Sequence, residues 1–231
     1  MAQIKTKEQI EKITKACKIT DAIFTIIVKK IQKEKGVITE IALRDFILSE
    51  IKNKGVKPSF PPIVTSGPRA GNEIHPQPTN SKLKGFVIID FGVIYEKYMS
   101  DMTRTIYIGG ITEKEKNIYE KVLICQKESI LKVRDGVLCS VVDQFSRDLL
   151  GVYSKYFIHM LGHGVGTRIH EEPKLYYKLI KSKFKKDMVV TIEPGIYIKN
   201  KLGIRIEDTI LVTDKKPVVF TKSNKNLIVI K

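Results

Sequence analysis

Three of the four histidines in this 231-residue chain fall within one stretch of twelve, His159-Met-Leu-Gly-His163-Gly-Val-Gly-Thr-Arg-Ile-His170, and the fourth is His75. Imidazole is the side chain that binds metals and carries protons near neutral pH. A single histidine is most often a packed or solvated residue with no further role. Three of them threaded through Gly162, Gly164 and Gly166 point instead to a reaction centre, because glycines let a backbone turn sharply and approach other groups closely.

The carboxylates that could meet these histidines come in two pairs. Asp90 and Asp101 stand eleven positions apart about a turn expected between Tyr95 and Glu96, while Glu193 and Glu207 lie seven positions either side of Asn200. In an antiparallel hairpin each pair falls opposite, with Cβ atoms only about 5 Å apart. Two acidic pairs in apolar strands repel and are expensive to desolvate, so positive charge must lie between them. Arg205, two positions from Glu207 and on the same strand face, supplies one charge against four. Two divalent cations about 3.5 to 4 Å apart, bridged by carboxylates and completed by a histidine, would neutralise the rest. Oxygen-rich ligation with a single imidazole favours manganese, iron or cobalt over a cysteine-type zinc site, with zinc kept as a further candidate.

The elements that must position these groups can be read in chain order. Apolar residues from Ile10 to Ile31 recur at spacings of three and four, which predicts an amphipathic helix over 7–33. Gly36 ends it, and a second helix covers 41–51. Pro58, Pro61 and Pro62 forbid helix, and a short strand from Ile63 runs into a loop that ends at His75-Pro76. Strands are predicted over 86–92, 98–108, 188–198 and 203–212, with helices over 113–132 and 141–150. The arrangement of helix, Gly-Val and helix around Gly36-Val37 returns around Gly136-Val137, one hundred residues later. Two similar α+β halves packed face to face would place a site at their seam.

Composition sets the class. With 42% hydrophobic and 29% charged residues, the chain can bury a sizeable core. No apolar run approaches the roughly 18 residues that span a bilayer, and the first residues form no signal peptide, so a cytoplasmic protein with no membrane partner is expected. Cys17, Cys125 and Cys139 are widely spaced and lack a Cys-x-x-Cys pair, so they are expected as buried small hydrophobes. The net charge of +16 could hold nucleic acid electrostatically, yet the lysines are dispersed. The densest patches, 29–35 and 178–186, lack interleaved aromatic platforms. A solvated lysine-rich surface with no specific nucleic-acid partner is the expectation.

Six motifs together carry a resemblance: Asp90-Phe-Gly, Tyr98-Met-Ser-Asp101-Met-Thr-Arg-Thr, Gly162-His-Gly-Val-Gly, His170-Glu-Glu-Pro, Thr191-Ile-Glu-Pro-Gly-Ile-Tyr and Gly203-Ile-Arg-Ile-Glu-Asp. Over nearly the whole chain they resemble the metallopeptidase family of Xaa-Pro aminopeptidase, prolidase and methionine aminopeptidase. The resemblance implies the pita-bread α+β fold, with pseudo-symmetric halves around a dinuclear metal site and residues 1–231 as one catalytic domain. It implies Asp90, Asp101, His163, Glu193 and Glu207 as the five ligands, with Asp101 and Glu207 bridging. Glu193 would take and return the proton, His170 would steady the oxyanion, His75 would contact the substrate, and Arg205 would orient carboxylates. His159 is read equally as a proton-relay member or as a structural residue.

Within the family, length, His163-Gly-Val-Gly and His170-Glu-Glu-Pro are similar to methionine aminopeptidases. Ser66-Gly-Pro-Arg-Ala, Glu193-Pro-Gly-Ile-Tyr and Ile204-Arg-Ile-Glu-Asp lean to the Xaa-Pro branch, which is the reading taken. The chain departs from larger members of that branch in their separate N-terminal domain, and it carries Lys97 where the family usually has glycine. The partner implied is a peptide substrate, with a homodimer as the assembly left open. A pita-bread module that binds without catalysis is the reading of another class, disfavoured because all five ligand types are in place.

Overall fold

The computed structural model describes residues 4–231. Helix α1 (Lys7–Lys33) begins at a capping box in which Thr6 and Gln9 satisfy each other's backbone N–H groups. It buries Ile13, Ala16, Cys17, Thr20, Ile23, Phe24, Ile27 and Ile31, the stripe that the spacing predicts. Helix α2 (Glu40–Asn53) follows from its N-cap Thr39. Then come β1 (Lys57–Pro58), β2 (Ile63–Ser66), β3 (Gly85–Phe91), β4 (Val93–Tyr95), β5 (Tyr98–Met99) and β6 (Met102–Ile108). Strands β2, β3 and β6 pair antiparallel, and Val64, Val87, Ile89 and Ile106 meet α1 and α2 in one core.

The second half repeats this order. Helices α3 (Glu113–Lys132) and α4 (Cys139–Leu150) precede β7 (Gly162–Gly164), β8 (Glu171–Leu175) and β9 (Val189–Ile192). Next are β10 (Gly195–Ile198), β11 (Leu202–Arg205), β12 (Asp208–Leu211), β13 (Val218–Val219) and β14 (Val229–Ile230). The two main sheets run β14-β6-β3-β2 and β13-β12-β9-β7-β8, so β7, β9 and β12 stand as β2, β3 and β6 do. Even the isolated bridges match: Thr39 pairs with Lys82 just before α2, and Leu138 with Lys183 just before α4. The three cysteines are free and buried. Among the described residues, no helix is long and apolar enough to cross a membrane.

Two expectations on register come out differently. The first hairpin turns at Glu96-Lys97, both with positive φ, and Tyr95 faces Tyr98. Asp90 therefore pairs with Thr103, and Asp101 is its diagonal neighbour two positions on, not its direct partner. A tight two-residue turn with both central residues left-handed suits the right-handed twist of a hairpin, and it moves the centre one position from the expected Tyr95-Glu96. The strand expected over 98–108 also breaks at Ser100 and Asp101. There the Ser100 hydroxyl bonds to the Val93 N–H and to Thr20 Oγ1 of α1, and Ser59 Oγ donates to the Ser100 carbonyl.

The second hairpin keeps the expected register, since Gly195 pairs with Arg205 and Ile192 with Asp208, which leaves Glu193 level with Glu207. Each of its long strands is nevertheless split in two at these glutamates. Their backbone N–H groups leave the ladder: Glu193 donates to the Leu161 carbonyl and Glu207 to the Thr103 carbonyl. Glu207 thus sits where the second half crosses onto the first.

Candidate metal centre

The centre assembles where β7 and the ends of β3, β9 and β12 meet. His163 lies on β7, wedged between β9 and β8. Its Nδ1 stands 3.1 Å from the Gly164 carbonyl, which can only accept, so Nδ1 carries the proton and the Nε2 lone pair faces inward. That lone pair meets Glu193 Oε1 at 3.3 Å and Asp101 Oδ2 at 3.6 Å. Asp101, His163 and Glu207 offer ligand atoms within 4.8 Å of one another. Asp90 Oδ2 accepts from Arg205 Nη2 at 2.6 Å, while its Oδ1 is buried without a hydrogen-bond partner.

The electrostatics call for cations. Burial pushes Asp101 and Glu207 well above the usual carboxylate range, helped by Asp90 and Glu193 around Asp101 and by Asp101 beside Glu207. Burial likewise raises Glu193 to about 8. His163, buried and next to His170, is lowered to about 3 and is therefore neutral, the form that ligates metal. A lone pair aimed at carboxylate oxygens is repulsive unless a proton or cation lies between. The buried, unpartnered Asp90 oxygen points the same way. These residues fit a divalent metal site.

A cavity of about 520 Å³ opens onto this cluster, with Phe60, Pro61, Ile63, Ile74, Met160 and Ile169 in its walls. His75 and His170 also line it, brought by the loops that connect β2 to β3 and β7 to β8. The His170 ring stands edge-to-face against His163 with centroids 4.4 Å apart. Desolvation lowers both His75 and His170 below the usual imidazole value. His159 is packed differently: its Nδ1 meets the Met160 carbonyl at 2.8 Å and its Nε2 the Tyr197 hydroxyl at 3.0 Å. Burial holds it at about 3, a neutral ring with both nitrogens engaged.

Residues 11–214 match the metallopeptidase family M24. The chain belongs to this family. The M24 chain is 38% identical over 229 residues to a protein from Pyrococcus furiosus named Xaa-Pro dipeptidase, with 97% of this chain and 65% of that one aligned. It superimposes on a prolidase from Thermococcus sibiricus with a TM-score of 0.93 at 39% identity, covering 99% of this chain and 62% of that one. An X-Pro aminopeptidase from Thermotoga maritima gives 0.92 at 29% identity, with 99% and 65% covered. The chain thus spans somewhat less than two thirds of these relatives. The pita-bread α+β fold implied by the resemblance is the fold of this M24 chain.

Several residues of this site lie inside the quoted motifs but received no role of their own in the sequence reading. Tyr197 receives a hydrogen bond from Arg205 Nη1 at 2.7 Å and so turns its own proton toward His159. Thr103 donates to Glu207 Oε2 at 2.8 Å and accepts from Arg205 Nε at 3.0 Å. Thr105 exchanges two bonds with the Arg205 backbone. Thr191 accepts from the His163 N–H and donates to Glu193 Oε1. The threonines alternate along β6, which period-2 reading places on one face, but their partners lie a hundred residues away.

Proposed function

We propose that this M24 chain is a metal-dependent exopeptidase that removes the N-terminal residue of a peptide, preferring a bond that precedes proline, with residues 1–231 acting as one catalytic domain. One observation carries the reading: four carboxylates and a neutral imidazole converge with Arg205 as the cation in contact, and an oxygen of Asp90 is buried without a partner. Asp90, Asp101, His163, Glu193 and Glu207 would hold two divalent ions, manganese first and then cobalt, iron or zinc. Bound there, the ions supply Lewis acidity and make hydroxide available at neutral pH by lowering the pKa of water.

The chain's own residues do the rest. Glu193, half-buried beside His163, takes the proton and passes it to the leaving nitrogen. His170 donates to the developing oxyanion, and His75 contacts the peptide at the scissile bond. Arg205 holds Asp90 in orientation and is held in turn by Thr103 and Tyr197. His159 acts as the packed partner of Tyr197. A bond before proline has no N–H, so its site needs an apolar wall and no acceptor there. Phe60, Pro61, Ile63 and Ile74 supply such a wall.

The test is kcat/KM of the metal-loaded protein on Xaa-Pro peptides against Met-Ala peptides of equal length. At least a tenfold preference for Xaa-Pro is expected, about 1.4 kcal/mol of transition-state discrimination. A tenfold preference the other way replaces this reading with a methionine aminopeptidase, and cleavage of neither, with no metal taken up, replaces it with a binding module.

A further inference from the structure

The turn that carries His170 is held by a residue far from it in sequence. Lys5, in the segment before α1, is only 4% exposed. Its Nζ meets Glu171 Oε2 at 2.7 Å, and both side chains are shielded from solvent. The other oxygen, Glu171 Oε1, accepts from the backbone N–H of Thr167 at 3.0 Å and of Arg168 at 3.2 Å. One carboxylate therefore closes the turn over 167–171 on itself and ties it to the start of the chain. Gly166 is required for this: a Cβ there would lie 2.6 Å from Lys5 Nζ and from both Glu171 oxygens. The Lys5 backbone is anchored separately, by its N–H to the Asp187 carbonyl at 2.8 Å. Glu171 directly follows His170 and shares the cavity wall with it.

A buried ion pair is a demanding device, because either partner left alone is an uncompensated charge in a dry place. Neither partner of the pair has a role in the chemistry set out above. Its geometric consequence is to fix the backbone next to His170, a residue exposed to the cavity with its ring edge-to-face against His163. We propose that Lys5 is a positioning residue that acts through Glu171 to hold His170 against the substrate. The proposal rests on the peptidase reading for its kinetic consequence and on geometry alone for the clamp.

Lys5→Met removes the charge and keeps the stem, and Glu171→Gln removes the ion pair from the other side while keeping an oxygen for the two N–H groups. In either metal-loaded variant, kcat should fall about 10- to 100-fold, the scale of a small misplacement of a positioned group. KM and metal content should stay near wild type. In a His170→Ala background the same changes should cost nothing further, whereas a residue that merely supports the fold would add its loss to that of His170→Ala. Hydrogen exchange at the Thr167 and Arg168 amides should quicken in both variants, a readout that does not depend on which peptide is cleaved. If the wild type cleaves no peptide, the peptidase reading fails by itself while exchange still judges the clamp. Wild-type kcat in both variants, losses that add to His170→Ala, or unchanged exchange would each overturn the proposal, and if Lys5→Met does not fold, Glu171→Gln decides it.

Discussion

Asp101 shows how one side chain is made useful by being placed where it is costly. It is 4% exposed, its diagonal neighbour is Asp90, and burial holds its proton on well above the usual range. On the proposed reading such a group would bind a divalent cation strongly, because the cation removes the repulsion that burial creates. Asp101→Asn keeps the shape and deletes the charge. Changes in residues that only orient ligands already cost about 10- to 100-fold in affinity or activity, so this variant should lose turnover by more than that and bind fewer than two ions per chain. Circular dichroism should show the fold intact, and wild-type metal content by elemental analysis would refute the assignment. The histidines and acids of this centre were readable because only four histidines exist and the acids sit in otherwise apolar strands. The roles of Tyr197 and Thr103 were not, although both stand in the motifs, since a tyrosine or threonine in a strand looks like ordinary sheet surface until its partner is known.

At the scale of elements, the two hairpins explain why one register was legible and the other was not. Asn200 tolerates the left-handed conformation it adopts, with φ of 56°, and its neighbourhood of polar residues marks the turn. Glu96 and Lys97 adopt the same region, at 45° and 73°, without being residues that announce it. The Asp90 row is therefore displaced by two positions, which preserves the face because the strand period is two. The close packing of β7 was announced by its glycines, though not what they approach. A Cβ on Gly162 would stand 2.1 Å from the Thr191 carbonyl oxygen on β9, a backbone atom that cannot swing away. Gly162→Ala should push β7 off β9 and destabilise by about 1–3 kcal/mol, read as a fall in Tm of roughly 2–12 °C for a chain of this size. Gly110→Ala, where a Cβ meets nothing within 4 Å, should leave Tm unchanged. An unaltered Tm in Gly162→Ala would show that the sheet yields there without cost.

For the molecule as a whole, stability and metal must be linked through pH. Metal-free, the folded chain keeps protons on Glu193 up to about 8 and on Asp101 and Glu207 well above their ordinary values, with burial the first cause in each case. The unfolded chain releases these protons near their ordinary values, 3.8 for Asp101 and 4.5 for the two glutamates. Above these values the native state holds more protons than the unfolded one, so its stability falls as pH rises. The histidines work oppositely: His159 and His163 are held at about 3, and His75 and His170 are lowered from 6.5, so their contribution grows with pH up to about 6.5 and is then complete. The carboxylates therefore dominate between pH 6.5 and 8, as the histidine contribution levels off. Divalent ions bind only the deprotonated carboxylates and stabilise the native state by mass action. The Tm of metal-free protein should accordingly fall from pH 6.5 to 8, while that of manganese-saturated protein stays level or rises, so the gap between them widens. In Glu207→Gln, where one of the three protons is no longer at stake, the metal-free slope should be shallower. Thermal melts at four or five pH values with chelator or with manganese measure this directly, and a gap that stays constant over the window would mean that the buried acids are not where the metal binds.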